Sequence, residues 1–260
     1  MCGRYTLTVE QDDLEARFDA QFRGGDSGSG HVTGSESGSE FTPRYNMAPG
    51  QELPVITDED PTMIRRLEWG LVPSWADDDT GGLINARAES VDEKPSFRGA
   101  YERPSGSRDP SEGPDTSSAG RCLVPADGFY EWVETEDGKR PYRVTFEDDR
   151  VFAMAGLWER WEPETTQTGL DAFGGGIDDE IEAEPLETYT ILTTEPNDLV
   201  SDLHNRMAVI VDPGDEERWL SAADPQELFE PYPADGMCTA PVSMAVNNPS
   251  TDDPSILEPS

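Results

Sequence analysis

The chain carries 260 residues, room for one large domain or two small ones, with 55 acidic side chains against 19 basic ones and a formal charge of −36. Recurrent Trp, Tyr, Phe and β-branched runs exclude an acidic disordered tail, and the acid surplus with only two lysines (Lys94, Lys139) fits a globular protein of molar-salt surroundings, where a Debye length of about 3 Å screens self-repulsion. Three cysteines with no C-x-x-C exclude a disulfide framework and a zinc site; without a leader or an apolar run of ~18 residues, a cytoplasmic protein is expected.

In chain order, the first informative residue is Cys2. Once Met1 is removed, Cys2 carries an α-amine and a thiol on adjacent carbons, a pair that no other position in a protein offers. The amine can condense with an aldehyde to an imine, and the thiol can close on the same carbon to give a thiazolidine. Reference pKa values of about 8 and about 8.5 leave both groups partly nucleophilic near neutrality. Position alone also fits an ordinary residue at a frayed terminus, so the rest of the chain has to decide.

Leu14, Phe18 and Phe22 share one helix face, and Thr8-x-x-Gln11 predicts a capping box in front of them. Strands are predicted over 53–57, 63–71, 121–125, 142–146, 151–157, 188–193 and 207–211, and a helix over 212–222 with Trp219 and Leu220 inward. Cys122 falls in an apolar strand and reads as a buried structural thiol. Three low-complexity stretches, 24–40, 103–120 and 162–185, lack apolar periodicity and read as exposed insertions within one domain spanning 1–260. His31 lies in the first and reads as inert, which leaves His204 as the histidine of ordered sequence. Strands outnumber helices and do not alternate with them. The expected fold is therefore α+β, a mostly antiparallel, barrel-like sheet with short helices.

Polar islands interrupt this apolar framework: Trp69-Gly70-Leu71-Val72-Pro73-Ser74-Trp75, Asn85-Ala86-Arg87-Ala88-Glu89, Pro125–Trp132 with Glu131 between Tyr130 and Trp132, and His204-Asn205-Arg206-Met207. Singly each has a plain structural explanation; together they mark loops on a rigid scaffold, where function concentrates. With Cys2-Gly3-Arg4-Tyr5 and the Arg44–Gln51 segment, they resemble the SOS response-associated peptidase (SRAP) family, also called abasic site processing proteins. The resemblance runs from Cys2 to about Asn247 and departs at Asn205, where the family usually has Asp.

The resemblance implies capture of abasic sites in single-stranded DNA, with Cys2 linked to the C1′ aldehyde of the opened deoxyribose. It implies that Asn85 orients Cys2, that Glu131 moves the proton in ring opening and reversal, and that His204 stabilises the opened sugar. Asn46 and Pro49 join the residues implied to face DNA. The chemistry agrees with these assignments: a raised-pKa glutamate suits proton shuttling, and an imidazole can donate to the freed oxygen. Arg4, Arg87 and Arg206 would hold phosphates, and Trp69 and Trp75 would offer faces to unstacked bases. The overall acidity opposes DNA binding only if acidic residues line the groove.

Two other readings stay open, an N-terminal-nucleophile peptidase using Cys2, Glu131 and His204, and a non-catalytic reader of modified or single-stranded DNA. No phosphate-binding loop and no metal-ligand spacing occur, so no cofactor and no metal are expected, nor any membrane contact; the chain is expected to act as a monomer.

Overall fold

A computed structural model describes residues 2–23, 41–79, 81–102, 119–136, 138–162 and 185–259. The three predicted insertions lie almost wholly outside the described residues. The first half of the chain forms β1 (Tyr5–Leu7), α1 (Gln11–Phe18), β2 (Gln21–Phe22), β3 (Arg44–Met47), β4 (Glu52–Thr57), β5 (Met63–Trp69), β6 (Asn85–Arg87) and α2 (Pro95–Glu102). The second half forms β7 (Ala119–Ala126), β8 (Gly128–Thr135), β9 (Gly138–Phe146), β10 (Phe152–Trp161) and β11 (Leu186–Thr194). It continues with α3 (Asp198–Ser201), β12 (Met207–Ala208), β13 (Ile210–Val211), α4 (Glu216–Ser221) and β14 (Met237–Pro241).

Five of these strands close into a barrel. β11 pairs with β10, β10 with β7, β7 with β4, β4 with β5, and β5 returns to β11. Strands that alternate in direction around a ring of five cannot all be antiparallel; one seam must be parallel. That seam is β5–β11, with Thr188 opposite Glu68 and Tyr189 opposite Trp69. β7 and β10 are buried along almost their whole length because α2 and α4 cover their outer faces. Such strands read as continuous apolar runs, which is why the sequence shows them.

Arg121 fastens both helices to the barrel. Its guanidinium is fully buried and donates to the carbonyls of Tyr101 at the end of α2 (2.6 and 2.9 Å) and of Trp219 and Ala222 at the end of α4 (3.1 and 2.6 Å). A cation at two helix C-termini meets carbonyls that have no intrahelical partner.

A second sheet, ordered β14-β9-β8-β1-β3, lies beside the barrel. Phe129, Val144 and Phe146 join the barrel's core, whereas Tyr130 and Trp132 pack on the other side with Val242, Val246 and Ile256. Asp127 ties this sheet together. Its carboxylate accepts from the Thr6 and Thr8 hydroxyls (both 2.6 Å) and from Arg143 (2.9 Å), which locks β1 onto β8.

Local expectations fail where tertiary partners outbid local ones. Helix α1 stops at Phe18, Asp19 takes a left-handed conformation (φ 49°), and Phe22 belongs to β2 rather than to the helix face. No capping box forms: Thr8 is engaged by Asp127, while the Gln11 amide donates to Glu15 and its oxygen accepts from Phe41 N–H. The single strand expected over 207–211 is split. Met207–Ala208 pairs with β11 and Ile210–Val211 with β10, so the chain steps between barrel strands at Val209. The last long helix begins at Glu216 rather than Asp212, with Trp219 and Leu220 buried as expected.

Candidate active site

Cys2 precedes β1 and is fully buried where the second sheet meets the barrel. Its carbonyl accepts a hydrogen bond from Asn85 Nδ2 at 2.9 Å. Asn85 opens β6, a three-residue strand held parallel to β11 with Asn85 opposite Ile191. The preceding residue, Ile84, is fixed by Trp69, whose indole N–H donates to the Ile84 carbonyl at 2.9 Å. Beside Trp69 the Tyr5 and Tyr189 hydroxyls meet at 2.8 Å, Tyr5 edge-on to the indole and Tyr189 stacked against it. The rigid barrel seam thus positions Asn85, and Asn85 positions the terminus.

Glu131 lies on β8 and is 2 % exposed. Burial pushes its carboxyl up to about 7, partly offset by the positive chain terminus. The Cys2 thiol is also raised, first by burial and then by the negative charge of Glu131, so it stays protonated near neutrality. The two groups lie within each other's field and disfavour simultaneous ionisation. His204 is half-buried after α3; its Nδ1 accepts from the Arg206 backbone N–H at 3.0 Å. The same nitrogen lies 3.2 Å from the Arg206 carbonyl, so the Arg206 backbone holds the ring in place whichever nitrogen carries the proton. Burial, followed by the positive chain terminus, lowers the His204 pKa and favours the neutral form.

Among the predicted DNA-facing residues, two are corrected by burial. Trp69 is fully buried with its N–H used inside the fold, so it offers no face to a base. Asn46 is fully buried too. Its side-chain amide donates to the carbonyls of Val246, Asn248 and Thr251, fastening the C-terminal segment onto β3. The Arg206 guanidinium is taken by Glu89 in a forked ion pair, and Arg206 also donates to the Thr193 carbonyl. Arg87 is exposed on β6, Arg4 and Pro49 are half-buried, and Trp75 is 64 % exposed on the wall of a cavity of about 210 Å³.

Three polar atoms around this pocket, Arg4 Nε, Asn85 Oδ1 and Arg206 Nε, are buried without a hydrogen-bond partner. Asn46 Oδ1, Thr57 Oγ1 and Thr190 Oγ1 elsewhere in the fold are orphaned too, and each such group carries a cost. Sequence reasoning missed Glu89 and the Tyr5–Tyr189 pair. Glu89 stood at the end of the Asn85 island and could have been read as a partner for Arg206. Nothing local announces that Tyr5 and Tyr189 meet, because 184 residues separate them. Among the described residues, no three His, Cys, Asp or Glu side chains gather as a metal site requires.

The family description "SOS response associated peptidase (SRAP)" matches residues 1–106 and 114–249. The abasic site processing protein YoqW of Bacillus subtilis (strain 168) is 37 % identical, over 99 % of both chains. The abasic site processing protein HMCES of Gallus gallus is 31 % identical, over 84 % of this chain and 67 % of its own length. Among solved structures, a protein from Bacteroides thetaiotaomicron superposes with a TM-score of 0.71 at 23 % identity, over the full length of both chains, and shares the fold.

Proposed function

The chain belongs to the SOS response-associated peptidase family, and from that premise we propose that it captures abasic sites in single-stranded DNA as a covalent thiazolidine on Cys2. The observation that carries the proposal is one arrangement: the buried Cys2 thiol beside a Glu131 carboxyl raised to about 7, with the Cys2 carbonyl held by Asn85.

After hydrolytic removal of Met1, the Cys2 amine attacks the C1′ aldehyde and one water leaves as the imine forms. The S–H then adds across C=N, sulfur to C1′ and the proton to nitrogen. No redox partner is required. A thiol that burial keeps protonated needs a neighbour that takes its proton and returns it to nitrogen. A carboxyl near pKa 7 is present in both forms at neutral pH and suits that task. The same group reverses the adduct. His204 donates to the oxygen freed when the sugar opens, and Asn85 keeps the terminus from swinging away.

Arg4 and Arg87 would hold flanking phosphates and Trp75 would stack on an unpaired base. Arg206 would join them when a phosphate displaces Glu89. At molar salt the counterion-release contribution is small, so stacking, hydrogen bonds and the covalent bond itself carry the affinity. The reaction is proposed for the cytoplasm, with the protein acting as a monomer.

An abasic oligonucleotide incubated with the protein and run on a denaturing gel tests the proposal. The expected product is a heat- and SDS-stable adduct whose peptide begins at Cys2. Cys2→Ser retains the amine but cannot close the ring, and should give only a borohydride-trappable imine. Met1 retained in the crosslinked peptide would overturn the mechanism. A reader would bind without an adduct, and a peptidase would cut peptide bonds other than Met1–Cys2.

A further inference from the structure

Among the described residues, most cations away from the pocket are already matched with carboxylates: Arg17 with Glu216, Arg65 with Glu59 and Glu187, Arg160 with Glu187, Arg218 with Asp215. Lys139 and Arg140, at the start of β9, are exposed and make no ion pair with a described residue. Their place in the ladder gives these two cations a direction. Direct partners in an antiparallel pair share a face, and side chains alternate along each strand. Glu131 stands opposite Tyr142, and Val133 opposite Arg140. The face that carries Glu131 at the pocket therefore carries Arg140 one step farther out. Lys139, opposite Glu134 on the other face, lies close enough for its charge to bear on His204. Between the hairpin and the end of β14 is a cavity of about 240 Å³, lined by these two cations with Thr135, Pro241, Val242 and Met244; Met244 is 49 % exposed.

We propose that the β8–β9 hairpin is a second polynucleotide subsite, in which Lys139 and Arg140 hold phosphates of the strand flanking the lesion and Met244 covers the adjacent sugar or base. This rests on the proposed capture of abasic single strands and extends it. Arg87 lies on the β6 side of Cys2 and the hairpin on the Glu131 side, so a strand crossing the pocket meets a cation before and after the lesion. Two adjacent exposed cations that make no ion pair with a described residue suit an anionic polymer. An apolar Met beside it suits a ligand with alternating phosphate and ring.

The test compares the wild-type protein with Lys139→Glu/Arg140→Glu on two probes, a trinucleotide with a central abasic site and a long strand carrying the same lesion. The long-strand half-saturating concentration should rise about tenfold or more in the variant, with the trinucleotide's half-saturating concentration unchanged. The log–log salt slope for the long strand should shrink by about 1.4, the value for two phosphates on a single strand. Arg23→Glu/Arg218→Glu, the same charge change at the far end of β5 and on α4, should leave both probes unaffected. Unchanged long-strand binding, or an equal loss on the trinucleotide or in the remote control, overturns the subsite. If the wild type forms no adduct with any probe, the capture reading fails instead, and anisotropy with unmodified strands still decides the subsite: equal binding by wild type and variant rejects it.

Discussion

Two glutamates in different parts of the molecule are shifted in opposite directions. On the outer side of the barrel, Glu187 sits between Arg160, which donates at 2.6 and 3.1 Å, and Arg65, itself almost fully buried and also bound to Glu59. Burial raises the Glu187 pKa, but the two guanidiniums outweigh it and the net shift is downward. In the pocket, Glu131 is more deeply buried and has no arginine in its ladder partner Tyr142 or its neighbours Tyr130 and Trp132, so burial prevails and its pKa rises to about 7. The first carboxylate is ionised for the sake of the fold. The second is held at the edge of ionisation, which suits proton transfer and costs stability.

Trp69 holds the β5–β11 seam beside the pocket, and removing it should have the largest effect on the fold. Trp69→Ala empties a fully buried site and frees Ile84 and Asn85, so a loss of about 3–5 kcal/mol is expected. Chemical denaturation at high salt measures it; a loss within experimental error would mean that the indole does not hold the seam.

Glu187→Gln should destabilise the protein by about 1–3 kcal/mol near neutrality, since Arg65 and Arg160 lose their shared counter-charge. A lowered folded pKa makes this contribution present above the unfolded value and lost as pH falls through the folded one. The wild-type advantage over the variant should therefore disappear on acidification.

Glu131→Gln should do the reverse. With a folded pKa of about 7 against an ordinary value of 4.5, the folded protein binds more protons than the unfolded chain between those values, so wild-type stability falls as pH rises through that window. The variant should be more stable than wild type by about 1–3 kcal/mol at pH near 8, with little difference near pH 5. The same variant should form adduct slowly and fail to release it to excess competing abasic DNA. Wild-type exchange together with a flat stability difference would return Glu131 to a purely structural role.

The smallest effect on the fold belongs to Trp75. Trp75→Ala should change stability by no more than about 0.5 kcal/mol, because the ring is 64 % exposed, and should weaken single-strand binding by about 1–3 kcal/mol. Trp75 and Trp69, six residues apart in one motif, would then separate cleanly into a surface function and a core function.

What the sequence determined by itself was the barrel's long strands; the chemistry-bearing residues it put forward as candidates. β4, β5, β7, β10 and β11 are buried strongly enough that their apolar content is visible without neighbours. Cys2, Asn85, Glu131 and His204 stood out as polar or reactive types bordering those runs. Only the tertiary structure decided the rest. β1, β3 and β6 have three or four residues and carry no periodicity long enough to read; each exists because a partner strand supplies its hydrogen bonds. The fates of Trp69 and Asn46 were decided in the same way. Tryptophan and asparagine suit a DNA surface as well as a core, and what removed them from the surface was the Ile84 carbonyl on one side and the carbonyls of 246–251 on the other. Composition shows which groups can ionise or stack; the shape of the closed barrel decides which of them water and substrate can reach.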